Sequence, residues 1–196
     1  MELTLACTQA LAGGAVCLQY RAKFKSAAQR FHEATSLKTL CDASKARFIV
    51  NDDLALAIRL DCGLHAGEND CGIKEARAAL GADAYIGASC YDSLTRAKQA
   101  AEEGASYLAF GAFYPSTTKI NTRRVSLDLL SQVRTFRLPV VAIGGITLQN
   151  AAAVIQAGAD YIAVVNALFE DSQKVLQQAE AFSAFFKSTK HSGSRQ

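Results

Sequence analysis

Residues 16–23 read VCLQYRAK. As a β-strand, this segment sorts its side chains by alternation, with Val16, Leu18 and Tyr20 on one face and Gln19, Arg21 and Lys23 on the other. The apolar face is suited to packing under helices. The polar face fits two settings: a solvated edge strand, or a strand whose inner side opens at the mouth of a closed barrel, where no edge exists. The segments around it choose between them.

Four phrases share one design: GGAVCLQ (13–19), GADAYIG (81–87), GASYLAFG (104–111) and GADYIAV (158–164). Each begins with a glycine able to end a helix, continues through a small residue and enters a β-branched or aromatic run. Segments of helical spacing, such as SLTRAKQAAEE (93–103) and TLQNAAAVIQA (147–157), are alanine-rich and open on Ser93 and Thr147 as N-caps. Strict alternation of helix and strand predicts parallel strands joined by right-handed crossovers. Strands are expected at 15–20, 47–52, 62–66, 84–89, 107–112, 140–144 and 161–165. Helices are expected at 2–12, 26–43, 53–60, 73–80, 92–103, 126–135, 147–157 and 171–186. An α/β (β/α)8 TIM barrel accounts for this rhythm if its first strand is absent ahead of the first helix. The competitor is an open doubly wound sheet, but no GxGxxG follows the first strand and no switch point is evident.

Half of the 196 residues are hydrophobic and a fifth are charged, as in a globular protein with a sizeable core. One barrel domain over residues 1–187 is expected, followed by a disordered polar tail at 188–196. A formal net charge of +3 is too small to imply a nucleic-acid partner. The six cysteines form no CxxC pair or zinc spacing and read as small core residues in a reducing cytoplasm. Neither a signal peptide nor an apolar run of membrane-spanning length is evident.

In a barrel the active site lies at the C-terminal ends of the strands, and those ends are polar here. FIVNDD (48–53) ends on Asn51 and Asp52, and GLHAGEND (63–70) brings His65, Glu68 and Asp70. IGAS (86–89) ends on Ser89, and LAFGAFYPSTTK (108–119) delivers Ser116, Thr117, Thr118 and Lys119. AIGG (142–145) and AVVNAL (163–168) supply Gly144, Gly145, Val165 and Asn166. Arg21, Lys23 and Lys119, with neutral hydrogen-bonding neighbours, suit a phosphorylated ligand. Asp52 and Asp70 would repel that ligand unless a magnesium ion stood between them. The glycine pair and residues 165–168 occupy the two loops that commonly hold a phosphate in such barrels. Each feature also has a plainer reading. Asp52, Asp53 and Asp70 are potential helix caps, residues 116–118 an ordinary polar loop, and His65 a hydrogen-bonded structural histidine.

QYRAK, FIVND, IGAS, FYPSTTK, VVAIGGI and GADYIAVVNALF occur in the order and approximate spacing of thiamine-phosphate synthases, and the chain resembles that family over residues 10–170. The resemblance implies coupling of a hydroxymethylpyrimidine diphosphate to a thiazole phosphate, with magnesium as cofactor and pyrophosphate released. It implies that Gln19, Arg21, Lys23, Asn51, Ser89 and Lys119 hold the pyrimidine diphosphate. Asp52 and Asp70 would bind magnesium, and Ser116, Thr118, Gly145, Val165 and Asn166 would face the thiazole phosphate. The family's first strand is missing, HAGEND departs from its His-Leu-Gly-Gln loop, and Ser116 and Asn166 replace a usual threonine and serine. A thiazole tautomerase relative and a non-catalytic phosphate-ligand sensor are the alternative functions.

Overall fold

A computed structural model describes residues 2–67, 71–115 and 124–193. Its seven strands are β1 (Cys17–Tyr20), β2 (Arg47–Asn51), β3 (Gly63–Ala66), β4 (Ile86–Tyr91), β5 (Tyr107–Phe110), β6 (Val140–Ile143) and β7 (Tyr161–Ala163). They form one parallel sheet in strictly sequential order. A doubly wound sheet reverses its strand order at a switch point, so that competitor is excluded. The architecture is that of a TIM-like barrel with seven described strands, β1 and β7 standing at the two ends of the ladder.

The helices are α1 (Leu3–Ala12), α2 (Ala27–Ala43), α3 (Leu54–Leu60), α4 (Ile73–Leu80), α5 (Leu94–Glu102), α6 (Asp128–Gln132), α7 (Ala151–Gln156), α8 (Asn166–Phe169) and α9 (Val175–Gly193). Local chemistry sets their starts. Ser26 and Gln29 form a reciprocal capping box on α2, Asp53 caps α3 through the Leu56 N–H, and Ser93 caps α5 through the Arg96 N–H. Several boundaries differ from the sequence reading. Strand β4 runs on to Tyr91 instead of ending at Ser89, and α7 starts at Ala151 with Asn150, not Thr147, at its N-cap position. The short helix α8 was not anticipated, since four residues carry no periodic signal. The last helix also continues through residues 188–193, assigned by the sequence to the tail; the Ser188 and Thr189 hydroxyls donate to the Phe185 carbonyl there.

The sheet has two unlike faces. Outward-facing Tyr20, Phe48, Val50, Leu64, Ile86, Leu108, Phe110, Val140 and Ala142 are buried in the main core beneath the helices. Among the described residues no helix lies against the inward face, which carries the strands' own side chains. Along its rows the register aligns Asn51, His65, Gly87 and Tyr107. Outside the two end strands the helical layer is tight: α1 lies on α9, and a Cβ on Gly13 would overlap Ala179. The buried cysteines behave as expected of core residues, with burial pushing the Cys41 and Cys90 thiols up to about 12. Cys17 departs from this pattern and is exposed on the end strand β1.

Arg77 of α4 is the main polar clamp on the side opposite the strand ends that carry the candidate site. Its guanidinium donates to the carbonyls of Gly81 (3.0 Å), Ala82 (2.9 Å), Ala84 (2.7 Å) and Gly104 (2.6 and 3.1 Å), and to the Ser106 hydroxyl (3.1 Å). One planar fork thereby ties the loops entering β4 and β5, a geometry lysine cannot reproduce. Arg77→Lys is expected to cost about 2 kcal/mol, lowering the thermal midpoint by ~4–8 °C in a calorimetric scan.

Candidate functional site

Strand β1 ends at Tyr20, so Arg21 and Lys23 project from the loop that leads into α2. Beside them β2 ends at Asn51, and the chain turns sharply into α3. That turn sorts the two aspartates. The Asp53 N–H donates to the Asn51 carbonyl at 2.8 Å, and the Asp53 carboxylate accepts from the Leu56 N–H at 3.0 Å, so Asp53 is the helix cap. Asp52 is held in the left-handed region at φ +67° while its N–H donates to the His65 carbonyl at 2.9 Å. A non-glycine residue in that conformation costs energy and commonly marks a functional position.

The two strand ends enclose a cleft of about 350 Å3, lined by Arg21, Lys23, Arg30, Asn51, Asp52 and Asp53 with Tyr20, Ala22, Val50 and Leu56 beneath. Lys23 Nζ lies 3.8 Å from Asp52 Oδ2, and an Arg30 nitrogen lies 3.3 Å from Asp53 Oδ2. The Lys23 side chain is 53% exposed and that of Asp52 is 24% exposed. Such a pair contributes little stability and can exchange partners when an anion arrives. Arg21 and Lys23 are exposed, since they lie beyond the last paired residue of β1. Arg30 was not anticipated in the site, because on α2 it is indistinguishable by pattern from a solvated helix residue.

Deeper in the sheet, His65 is the one buried polar or charged side chain among the described residues. Its Nδ1 pairs with the Tyr107 hydroxyl at 2.8 Å and its Nε2 with the Ser89 hydroxyl at 3.0 Å. The hydrogen-bonded structural histidine expected from the sequence is thus observed. Tyr107 stacks on Tyr85 with ring centroids 5.1 Å apart, and the Arg47 guanidinium lies 4.1 Å over Tyr85. Burial pushes the Tyr107 hydroxyl pKa strongly up, and the nearby Gln19 side chain offsets part of that rise. Tyr107 was missed because SYLAF reads as an apolar run in which nothing distinguishes the inward face.

The glycine loop after β6 is built for close approach. Gly144 and Gly145 have φ of +100° and +62°, and a Cβ on Gly145 would collide with the Pro115 and Tyr114 carbonyls. The Asn150 side chain closes the turn, donating to the Gly145 carbonyl at 3.0 Å and accepting the Thr147 N–H at 2.8 Å. Val165 and Asn166, both exposed, follow β7 directly, and β7 pairs with β6, so the two loops are neighbours. Asp70 and Glu68, and Ser116, Thr117, Thr118 and Lys119, lie outside the described residues. Among the described residues no group of three or more His, Cys, Asp or Glu side chains is placed to hold a metal.

A family model described as thiamine monophosphate synthase matches residues 1–168. The chain belongs to that family. Thiamine phosphate pyrophosphorylase from Pyrococcus furiosus superposes with a TM-score of 0.87 at 30% identity, over 96% of this chain and 91% of that one. Thiamine phosphate pyrophosphorylase from Bacteroides thetaiotaomicron gives 0.69 at 14% identity, covering 97% and 92%. Phosphoribosyl anthranilate isomerase from Thermus thermophilus also gives 0.69 at 14%, covering 96% of each chain. At such identity these last two speak for the fold alone. Among the described residues no helix is long and apolar enough to cross a membrane.

Gly145→Ala is expected to distort the loop after β6. The added methyl meets two carbonyls at a positive φ, for a loss of about 1–3 kcal/mol. A melting curve would show a lower midpoint, and steady-state kinetics a raised KM for a phosphorylated substrate bound there.

Proposed function

We propose that the protein couples 4-amino-2-methyl-5-hydroxymethylpyrimidine diphosphate to 4-methyl-5-(2-phosphoethyl)thiazole, forming thiamine phosphate and releasing pyrophosphate. One observation carries the residue assignment: Arg21, Lys23, Asn51 and Asp52, from two neighbouring strand ends, meet in a single cleft in a member of the synthase family. The sheet is read as seven strands of a (β/α)8 barrel, with the reaction at its C-terminal mouth.

The diphosphate is held by Arg21 and Lys23, with Asn51, Gln19 and Ser89 as neutral donors and Lys119 from the loop after β5. As the bond from the pyrimidine methylene to the diphosphate breaks, negative charge grows on the departing oxygens, and these fixed cations stabilise it. The electron-rich aminopyrimidine carries the positive charge left on the methylene. The thiazole nitrogen then attacks from a held position, its phosphate anchored by Gly145, Val165, Asn166, Ser116, Thr117 and Thr118. No general base is needed, because the nitrogen attacks through its lone pair and carries no proton to remove.

Asp52, with Asp70, suits magnesium. Hard oxygen donors in small number, beside a diphosphate that supplies the remaining oxygens, are the usual setting of that ion. The strained backbone of Asp52 presents its carboxylate to the cleft while Asp53 alone caps the helix. When bound, the ion supplies charge neutralisation on the diphosphate oxygens.

Purified protein with magnesium and both phosphorylated precursors is expected to form thiamine phosphate, detected by mass and by its fluorescent oxidation product. Absence of product with both substrates present refutes the reading, and chelation by EDTA should stop turnover. Arg21→Ala and Lys119→Ala are each expected to lower kcat at least a hundredfold, on the order of 3 kcal/mol in the barrier, with the fold intact by circular dichroism. Wild-type rates in either variant would remove that residue from the mechanism.

A further inference from the structure

The inward face of the sheet holds a polar chain that runs from its centre to its mouth. Tyr107 is 4% exposed, and its hydroxyl lies 2.8 Å from His65 Nδ1. His65 Nε2 lies 3.0 Å from the Ser89 hydroxyl, in the C-terminal half of β4. The ring is given its place by a glycine. Gly87 stands beside Tyr107 in the register, and a Cβ there would overlap the tyrosine ring and its hydroxyl. The tyrosine thus occupies space left by the absent side chain, stacked between Tyr85 and His65.

Two hydrogen-bond directions fit these distances. In one, Ser89 gives its proton to His65 and can only accept at its remaining lone pairs. In the other, Tyr107 donates to Nδ1, Nε2–H donates to the Ser89 oxygen, and the serine proton remains for another acceptor. The synthase reading selects the second, because a serine that holds a diphosphate must give its own proton outward, and the buried Tyr107 hydroxyl keeps its proton and can donate it to Nδ1.

We propose that Tyr107 is a positioning residue that, through His65, sets Ser89 as a hydrogen-bond donor to the diphosphate. This rests on the synthase reading above and extends it to residues that touch no substrate. A diphosphate offers acceptors only, so a serine committed to donating inward would contribute nothing to it. The one-way chain therefore discriminates in favour of an anionic group at the position Ser89 faces.

The test is a cycle of Tyr107→Phe, Ser89→Ala and the double variant, read by steady-state kinetics with magnesium and both substrates. Tyr107→Phe and Ser89→Ala are each expected to raise KM for the pyrimidine diphosphate about tenfold, the scale of one hydrogen bond to a charged group. The double variant should be no worse than either single one, because both remove the same contact. KM for the thiazole phosphate should stay within about twofold of wild type. Multiplying effects in the double variant, or an equal rise in both KM values, would overturn the proposal and leave Tyr107 a packing residue.

If Tyr107→Phe lowers the melting point enough to compromise folding, His65→Gln and His65→Leu decide instead. The glutamine amide can supply the N–H that Nε2 supplied, so it should recover most of the tenfold loss expected of leucine; equal losses overturn the proposal. Should wild-type protein form no product, the synthase reading fails. The positioning is then read from calorimetric binding of magnesium pyrophosphate, where Tyr107→Phe and Ser89→Ala must weaken binding equally and without additivity. Unequal or additive losses in that titration overturn it as well.

Discussion

Among the described residues the inner face of the parallel sheet has nothing to pack against but itself, and much of the rest of the molecule follows from that constraint. In a layered α/β sheet, helices cover both faces and every strand is apolar throughout. Here the helices cover one face, and the buried row Phe48, Val50, Leu64, Ile86, Leu108, Phe110 and Val140 is theirs. The other face is filled within the strand layer by a few side chains: the stacked rings of Tyr85 and Tyr107, His65 beside them, and glycines where a ring needs room. Polar groups in such a space must satisfy one another, which is why His65 has both nitrogens engaged. The column those groups form leads to the strand ends proposed above as the reaction site.

At those ends the physics changes from burial to charge. Arg21 and Lys23 sit past the last ladder pair of β1, exposed to water, with Asp52 as a weak partner of Lys23. A site for a diphosphate benefits from this arrangement. Cations locked in buried ion pairs would have to break them to bind an anion, at several kcal/mol each. Exposed ones bound loosely to a carboxylate exchange it at little cost. The fixed elements are kept in the backbone: the left-handed Asp52 and the positive-φ pair Gly144–Gly145 are set before any ligand arrives. Preorganised backbone and adaptable side chains divide the work between them.

The family assignment and the fold agree. The match to thiamine monophosphate synthases spans residues 1–168, and a 30% identical synthase of known structure superposes over nearly the whole chain. Neighbours at 14% identity share the scaffold while their names denote other reactions as well as this one. The scaffold by itself therefore leaves the reaction open.

Much of this was legible in the amino-acid order alone. The alternation of alanine-rich helices with glycine-led strands placed all seven strands within a few residues, because periodicity and end signals are local. The polar strand ends, from Gln19, Arg21 and Lys23 to Asn51 and Asp52, were visible because a cation or amide breaking an apolar run is conspicuous in one dimension. Which aspartate caps α3, that Arg30 joins the cleft, that Arg77 ties together two loops, and that Tyr107 meets His65 42 residues away were decided only in three dimensions. Those facts depend on register and on which face of a strand turns inward. A run such as SYLAF is apolar on both faces and does not encode that choice until its neighbours are in place.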